Sequence, residues 1–234
     1  MLRLAPTFFR FGSFEIFKEK DKTSGRAGPS VGLKEQMMPE MLDFVIRNYY
    51  PQIHADKGET SKYQLLFEEI ASRSAMMVAQ WQCVGYVHGV MNTDNMSILG
   101  LTIDYGPFRF MDYFDPKMVS NHSDKEGRYC YENQPSVCKF NLMRLAEALD
   151  PLLPLAWSSE YLHSKFDELY STAYLNIMAR KLGFITPANS ERDSIKECEF
   201  ELIQSLVEVL SATSADFTNT FRILAMISRD PDLT

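Results

Sequence analysis

The chain has 234 residues, of which 45% are hydrophobic and 12% aromatic, so it carries enough apolar material for a sizeable core. Its formal net charge is -7 and no block of Lys and Arg occurs, which argues against a protein that binds nucleic acid by neutralising phosphates. The four cysteines are widely spaced and include no C-x-x-C pair, so neither a zinc site nor a disulfide framework is indicated. No apolar run has the length of a membrane span, and the first ten residues lack the order of a signal peptide.

The first part of the chain combines an aromatic segment with a polar one. Residues 2–17 are rich in phenylalanine, interrupted by Arg3 and Arg10, and this composition is typical of the interior of a domain rather than of a tail. Residues 18–33 are polar and contain several glycines, which predicts a surface loop.

Two helices are predicted next. Apolar residues at helical spacing predict a helix after Pro39 that stops before Pro51. From Thr60 to Trp81 the apolar positions again repeat every three and four residues, which predicts a longer, buried helix.

Beyond this helix the apolar period changes. Residues 92–95 have the composition of a turn, and Met96–Ile103 has that of a strand that leads to Asp104. A short strand is also expected within residues 108–113, and residues 121–137 are expected to be irregular but packed. The chain then closes with predicted helices at Asn141–Leu149, Ser159–Leu182, Ser190–Ser211 and Asp216–Ile227.

The segment from His88 to Gly106 resembles a broken metal-nucleotide site. In kinase-like phosphotransferases a loop H-x-D-x-x-x-x-N ends on a metal-binding asparagine, and a strand leads to the metal-binding aspartate of D-F-G. Here His88 and Asn95 have that spacing, and Asp104 begins a D-Y-G sequence. Val90 stands where the catalytic aspartate is expected and cannot accept a proton. Asp94 is the candidate that replaces it as the base.

These residues fit a Mg²⁺ site for ATP, because the phosphates and water supply most ligands and the protein usually supplies one or two oxygens. Asn95 and Asp104 are the predicted metal ligands. Taken singly, N-T-D-N and D-Y-G are also ordinary turn sequences, and Asp94 also fits a turn cap. Arg3 and Arg10 can fork onto phosphate oxygens or form surface salt bridges.

Two further groups of polar residues are predicted to stabilise the structure rather than to take part in the chemistry. His88 is interpreted as a residue that packs and hydrogen-bonds to hold the loop. His122, Asp124 and Arg128 are interpreted as a cluster that stabilises the irregular segment.

Several blocks of the chain resemble the selenoprotein O family. They cover most of residues 1–150 and are Arg3–Glu15, Val87–Ser97, Gly100–Phe108, Asn121–Asp124 with Gly127–Tyr129, and Asn133–Leu149. The resemblance implies a kinase-like fold that binds ATP in a reversed orientation and transfers AMP to Ser, Thr or Tyr hydroxyls of proteins. It also implies that Asp94 is the proton acceptor, that Asn95 and Asp104 bind Mg²⁺, and that Arg3 and Arg10 contact phosphates. A mitochondrial location is implied for eukaryotic members.

The resulting fold prediction is a mostly helical α+β chain that forms a kinase-like large lobe. Residues 1–17 are assigned to the remnant of the small lobe and the hinge, 18–34 to a polar surface loop, and 35–234 to the large lobe. Members of the family carry a glycine-rich loop, a lysine and its glutamate partner before the first arginine. We therefore expect this chain to be a fragment or short form with at most weak nucleotide binding by itself.

Two alternative functions remain open from the sequence. One is a catalytically inactive pseudokinase scaffold that binds partners, for which Val90 and the missing small lobe are the arguments. The other is ordinary transfer of the γ-phosphoryl group, which fits Asn95 and Asp104 but leaves Val90 unexplained.

Overall fold

The computed structural model of the protein describes residues 4–20, 25, 27–56, 58, 60–150, 152–184 and 195–226. Within these residues the protein is mostly helical with little strand, as the sequence predicts for an α+β class. The α-helices are α1 (Lys34–Tyr49), α2 (Pro51–Ala55), α3 (Lys62–Val84), α4 (Gln134–Leu149), α5 (Leu155–Lys181), α6 (Glu197–Thr213) and α7 (Phe217–Met226). Short 3-10 helices span Phe11–Phe17, Val31–Leu33, Thr93–Asn95 and Tyr131–Asn133. Strands β1 (Tyr86–Val87) and β2 (Arg109–Phe110) pair antiparallel.

Helix α3 is the central element and confirms the predicted buried helix. Its first turn is capped by Ser61, whose Oγ accepts a hydrogen bond from the Tyr63 N–H at 3.4 Å. It ends at Gly85, which adopts the left-handed conformation (φ 68°) that commonly stops a helix. The apolar positions of α3 are buried against α4 and α5, and this packing fixes the base on which the following loops rest.

Helix α1 begins earlier than predicted. The sequence suggested a start after Pro39, but the helix starts at Lys34 and contains Pro39. Proline cannot donate to the carbonyl of Glu35, and that residue is exposed, so water can satisfy the carbonyl. Pro51 lies at the first turn of α2, where a missing N–H costs nothing.

The larger hydrophobic core joins the N-terminal segment to the helices. Phe11, Phe14 and Phe17 lie on one side of their 3-10 helix and are buried together with side chains from α1, α3 and α4. For these residues the predicted placement in the interior of a domain is confirmed. The consequence is that the segment carrying Arg10 is anchored to the rest of the molecule.

A second core lies at the C-terminal end of α5. There α5 packs with α6 and α7 and with Met111 and Phe114 of the irregular stretch after β2. The predicted C-terminal helices are confirmed with shifted bounds, while the start predicted at Ser190 and the end predicted at Ile227 lie outside the described residues. None of the helices in the described ranges combines the length and apolar character needed to cross a bilayer.

The prediction of a strand at Met96–Ile103 is wrong. Met96 and Thr102 form an isolated antiparallel bridge, and the residues between them reverse direction. The Gly100 N–H donates to the Ser97 carbonyl at 3.1 Å, and Gly100 has a φ of 64°, which closes the turn. The apolar residues of this segment are buried on a tight turn over α3 rather than along a strand.

Candidate functional site

The N-terminal segment runs antiparallel to the loop that carries Asn95. The Phe11 N–H donates to the Met96 carbonyl at 2.9 Å, and the Ile98 N–H donates to the Phe9 carbonyl at 3.2 Å. Between these bonds Arg10 pairs with Ser97 in an isolated bridge. Arg10 is half-buried and is thereby held beside the loop, whereas the predicted phosphate-binding Arg3 lies outside the described residues.

Asn95 ends a 3-10 turn and has one free acceptor. Its side chain is 9% exposed, and its Nδ2 donates to the Val90 carbonyl at 3.0 Å. Because a carbonyl can only accept, this bond fixes the orientation of the amide and turns Oδ1 away from Val90. Within the described residues Oδ1 receives no hydrogen bond, so it remains available to a cation.

Asp94 precedes Asn95 on the same turn and is exposed. No hydrogen bond to its carboxylate occurs in the described part of the chain, and the carboxylate lies directly against Gly12. An exposed carboxylate without a donor can accept a proton from an incoming group.

Asp104 is also exposed and has an unusual backbone. Its φ is 57°, a left-handed value that is uncommon outside glycine, and its carbonyl accepts a hydrogen bond from the Gly106 N–H at 2.9 Å. In the sequence, Asp94 and Asn95 directly precede Met96 of the Met96–Thr102 bridge, and Asp104 follows Thr102 by two residues. All three residues therefore lie within two residues of this bridge along the chain, on the side away from the turn at Gly100.

His88 connects the loop to the residue before Asp104. It is fully buried; its Nδ1 accepts from the Val90 N–H at 3.4 Å, and its Nε2 lies 2.9 Å from the Ile103 carbonyl. Because Nδ1 is an acceptor, the proton lies on Nε2, which donates to Ile103. Burial lowers the pKa of His88, so the ring is held neutral. These contacts agree with the predicted structural role.

Helix α4 supplies buried amides that the sequence did not reveal. Gln134 is fully buried, its Oε1 accepts from the His88 N–H at 2.9 Å, and its Nε2 donates to the Tyr86 carbonyl at 2.9 Å. Asn141 donates through Nδ2 to the Met91 carbonyl at 2.7 Å. Both side chains pair backbone groups that no strand satisfies. The sequence did not indicate this pair, because Gln134 lies in the stretch 121–137 that was predicted to be irregular, whereas α4 already begins at Gln134.

Of the predicted polar cluster after residue 120, Asp124 stabilises its own segment through hydrogen bonds. The Asp124 carboxylate accepts from the backbone N–H groups of Arg128 and Tyr129 at 3.0 and 2.8 Å. The Tyr129 hydroxyl donates to Asn92 Oδ1 at 2.6 Å, which ties this segment to the loop that carries Asp94. His122 is exposed.

The donor set at the loop is suited to a hard cation that brings its own ligands. Among the described residues no three His, Cys, Asp or Glu side chains cluster to hold a metal by themselves. Asn95 Oδ1 and an Asp104 carboxylate oxygen are hard ligands of the type that Mg²⁺ prefers, and a bound nucleotide would supply others.

The comparisons with known proteins agree on one family. The family model described as Protein adenylyltransferase SelO matches residues 1–231. The chain is 50% identical over 234 residues to the mitochondrial Protein adenylyltransferase SelO of Mus musculus, covering 98% of this chain and 34% of that protein. It is 51% identical over 227 residues to the mitochondrial SelO of Homo sapiens, covering 96% of this chain and 33% of that protein.

A bacterial relative is more distant. Protein nucleotidyltransferase YdiU of Salmonella paratyphi B is 41% identical over 225 residues, covering 96% of this chain and 42% of that protein. The chain belongs to the SelO family of protein adenylyltransferases. It spans about a third of the length of the mammalian relatives.

Proposed function

We propose that this protein is a Mg²⁺-dependent protein adenylyltransferase that transfers AMP from ATP to Ser, Thr or Tyr hydroxyls of other proteins. The observation that supports the proposal is the Met96–Thr102 bridge in a chain that belongs to the SelO family, because Asp94, Asn95 and Asp104 all lie within two residues of that bridge along the chain. The names of the mammalian and bacterial relatives support nucleotidyl transfer.

In this proposal Asn95 and Asp104 hold the cation. Asn95 would bind through Oδ1, since its Nδ2 is occupied by the Val90 carbonyl. Mg²⁺ bound there would neutralise charge on the phosphates and orient them for displacement. The left-handed backbone of Asp104 and the bond from His88 to Ile103 would hold the second ligand in place.

Asp94 acts as the general base. Its exposed carboxylate takes the proton of the attacking hydroxyl, whose oxygen forms a bond to the α-phosphorus. The bond from that phosphorus to the bridging oxygen breaks, and pyrophosphate leaves. This arrangement removes the need for an acidic side chain at Val90, because attack on the α-phosphorus approaches from a different position than attack on the γ-phosphorus.

Arg10 and Arg3 contact the phosphates. The bridge between Arg10 and Ser97 supports this role for Arg10, because it keeps Arg10 beside the loop that carries Asn95. A guanidinium can bind two phosphate oxygens at once.

The architecture is proposed to be the large lobe of a kinase-like fold in residues 35–234. Residues 1–17 would then belong to the small lobe and hinge, and residues 18–34 to a polar surface loop. The mitochondrial names of the vertebrate relatives support a mitochondrial location for the protein.

Labelled ATP tests the proposed reaction. We expect α-labelled ATP with Mg²⁺ to label a protein acceptor and γ-labelled ATP to leave it unlabelled, using the chain and any longer native form side by side. Asp104→Ala should reduce labelling by about 100-fold or more, because it removes a metal ligand. Asp112→Ala is the matched control, since this carboxylate is also exposed and makes no hydrogen bond in the described residues.

Each contrary result has a distinct meaning. Labelling from γ-labelled ATP would indicate phosphoryl transfer instead of AMP transfer. No labelling from either isotope by any form would contradict the proposal and favour a binding scaffold.

A further inference from the structure

Gly12 lies in contact with the proposed base. It is the second residue of the 3-10 helix Phe11–Phe17, and an alanine Cβ built there would overlap Asp94 Oδ1. The same Cβ would lie 3.1 Å from Asp94 Cγ and 3.4 Å from its Cα. The Asp94 carboxylate therefore occupies the space that any side chain at position 12 would fill.

Neither backbone can easily withdraw from this contact. On one side Phe11 and Phe14 are buried in the larger core. Across the contact, hydrogen bonds of 2.9 and 3.2 Å join residues 11 and 9 to Met96 and Ile98. A clash at position 12 would therefore be relieved by rotation of the Asp94 side chain.

The backbone conformation does not itself call for glycine at this position. Gly12 does not have a positive φ, unlike Gly85, Gly89 and Gly100. In a helical conformation alanine is more favourable than glycine. The reason for a missing side chain at Gly12 is thus the space taken by Asp94.

We infer that Gly12 is a positioning residue for Asp94, and this inference rests on the proposed role of Asp94 as base. By leaving room for the carboxylate, Gly12 sets the side-chain conformation from which Asp94 accepts the proton. A side chain at position 12 moves the carboxylate away from the attacking hydroxyl while Asn95 and Asp104 still bind the cation.

Gly12→Ala tests the catalytic consequence. We expect kcat for AMP transfer to fall by about 100-fold, because a displacement near 1 Å has this effect on a positioned group, and KM for ATP to stay within about threefold. Gly32→Ala is the matched control: Gly32 is also the second residue of a 3-10 helix, and nothing lies within 4 Å of its added Cβ. This control should keep the original kcat.

Thermal unfolding of a double-mutant cycle tests the contact without relying on activity. The change in Tm caused by Gly12→Ala should be less favourable in the original chain than in an Asp94→Ala background, where the overlapping carboxylate is gone. If Gly12→Ala fails to fold, recovery of folding in the double variant supports the inference, and failure of both overturns it. Additive Tm shifts also overturn it.

The inference and the proposed function fail in different ways. An active Asp94→Ala variant refutes Asp94 as the base and removes the catalytic role of Gly12 with it. An inactive Asp94→Ala together with a Gly12→Ala variant within about twofold of the original kcat overturns the positioning role alone.

Discussion

Replacement of His88 by phenylalanine separates the hydrogen bonds of this residue from its packing. His88 is 0% exposed and packs against Trp81 and Tyr86, with ring centroids 5.3 and 6.2 Å away. A phenyl ring is somewhat larger than an imidazole and keeps the aromatic contacts, so the substitution leaves no cavity. The variant loses the Nε2–H that donates to the Ile103 carbonyl at 2.9 Å.

The size of the effect follows from the burial of Ile103. This residue is 1% exposed, so its carbonyl would lose its donor in a dry environment. A buried acceptor without a partner costs about 1–3 kcal/mol. The bond from Val90 to Nδ1 is long at 3.4 Å and Val90 is half-buried, so it adds little. We expect the free energy of unfolding to fall by about 1–3 kcal/mol near pH 8.

The same variant should change how stability depends on pH. Burial lowers the pKa of His88 in the folded state below its ordinary value, so protons bind the unfolded state first as the pH falls. The stability from neutral His88 is complete above the unfolded pKa of about 6.5 and is lost as the pH falls from there through the folded pKa. One pH unit below 6.5 this loss reaches up to about 1.4 kcal/mol, and phenylalanine abolishes it.

Urea unfolding at about pH 8 and about pH 5.5 measures both effects. At about pH 8 the original chain should be more stable than His88→Phe. At about pH 5.5 this difference in the free energy of unfolding should be smaller. His54→Gln is the control, because His54 is exposed and should affect neither value. Equal stability of His88→Phe and the original chain at pH 8, or an unchanged pH dependence in the variant, would refute this reasoning.

Two further predictions concern groups that support the same loop. Gln134→Glu should lower the free energy of unfolding, measured in urea at neutral pH, by about 3 kcal/mol or more, because a buried carboxylate cannot donate to the Tyr86 carbonyl. Acidification should recover part of this loss, since a protonated carboxyl can donate. An unchanged free energy of unfolding would contradict the hydrogen bond. Gly100→Ala should lower Tm more than Gly127→Ala. Both glycines have left-handed φ values (64° and 66°), so an added side chain is strained at either position. A Cβ added at position 100 would also lie 2.6 Å from Arg73 Cβ, whereas one added at position 127 would meet nothing closer than 3.6 Å. Equal Tm shifts would show that this steric overlap has no effect.

The fold was predicted best where one face of an element is buried. Helix α3 was recognised because its apolar residues repeat every three and four positions along one long segment. This spacing places them on one face of the helix, which is the face that is buried. The start of α1 was missed because Pro39 is a helix breaker by local rules, whereas here the affected carbonyl is near water. The strand at Met96–Ile103 was predicted wrongly because the turn at Gly100 depends on close approach to α3.

The residues of the candidate site likewise fall into those that the sequence predicted and those that it did not. The spacing of His88, Asn95 and Asp104 was readable because these residues lie on one short stretch of chain. Gly12 and Gln134 were not recognised, since each meets the loop from a segment far away along the chain. Local composition contains no information about such contacts.

The sequence alone determined the helical class, the long central helix, the family resemblance and the order of the polar residues from Asp94 to Asp104. These properties depend on residue spacing along one segment, which the printed chain already contains. Only the tertiary structure decided that Asp94 rests against Gly12, that Asn95 presents Oδ1, and that buried amides of α4 hold the loop. Those arrangements arise from steric exclusion and hydrogen bonding between distant segments, and they exist only once the core has brought the segments together.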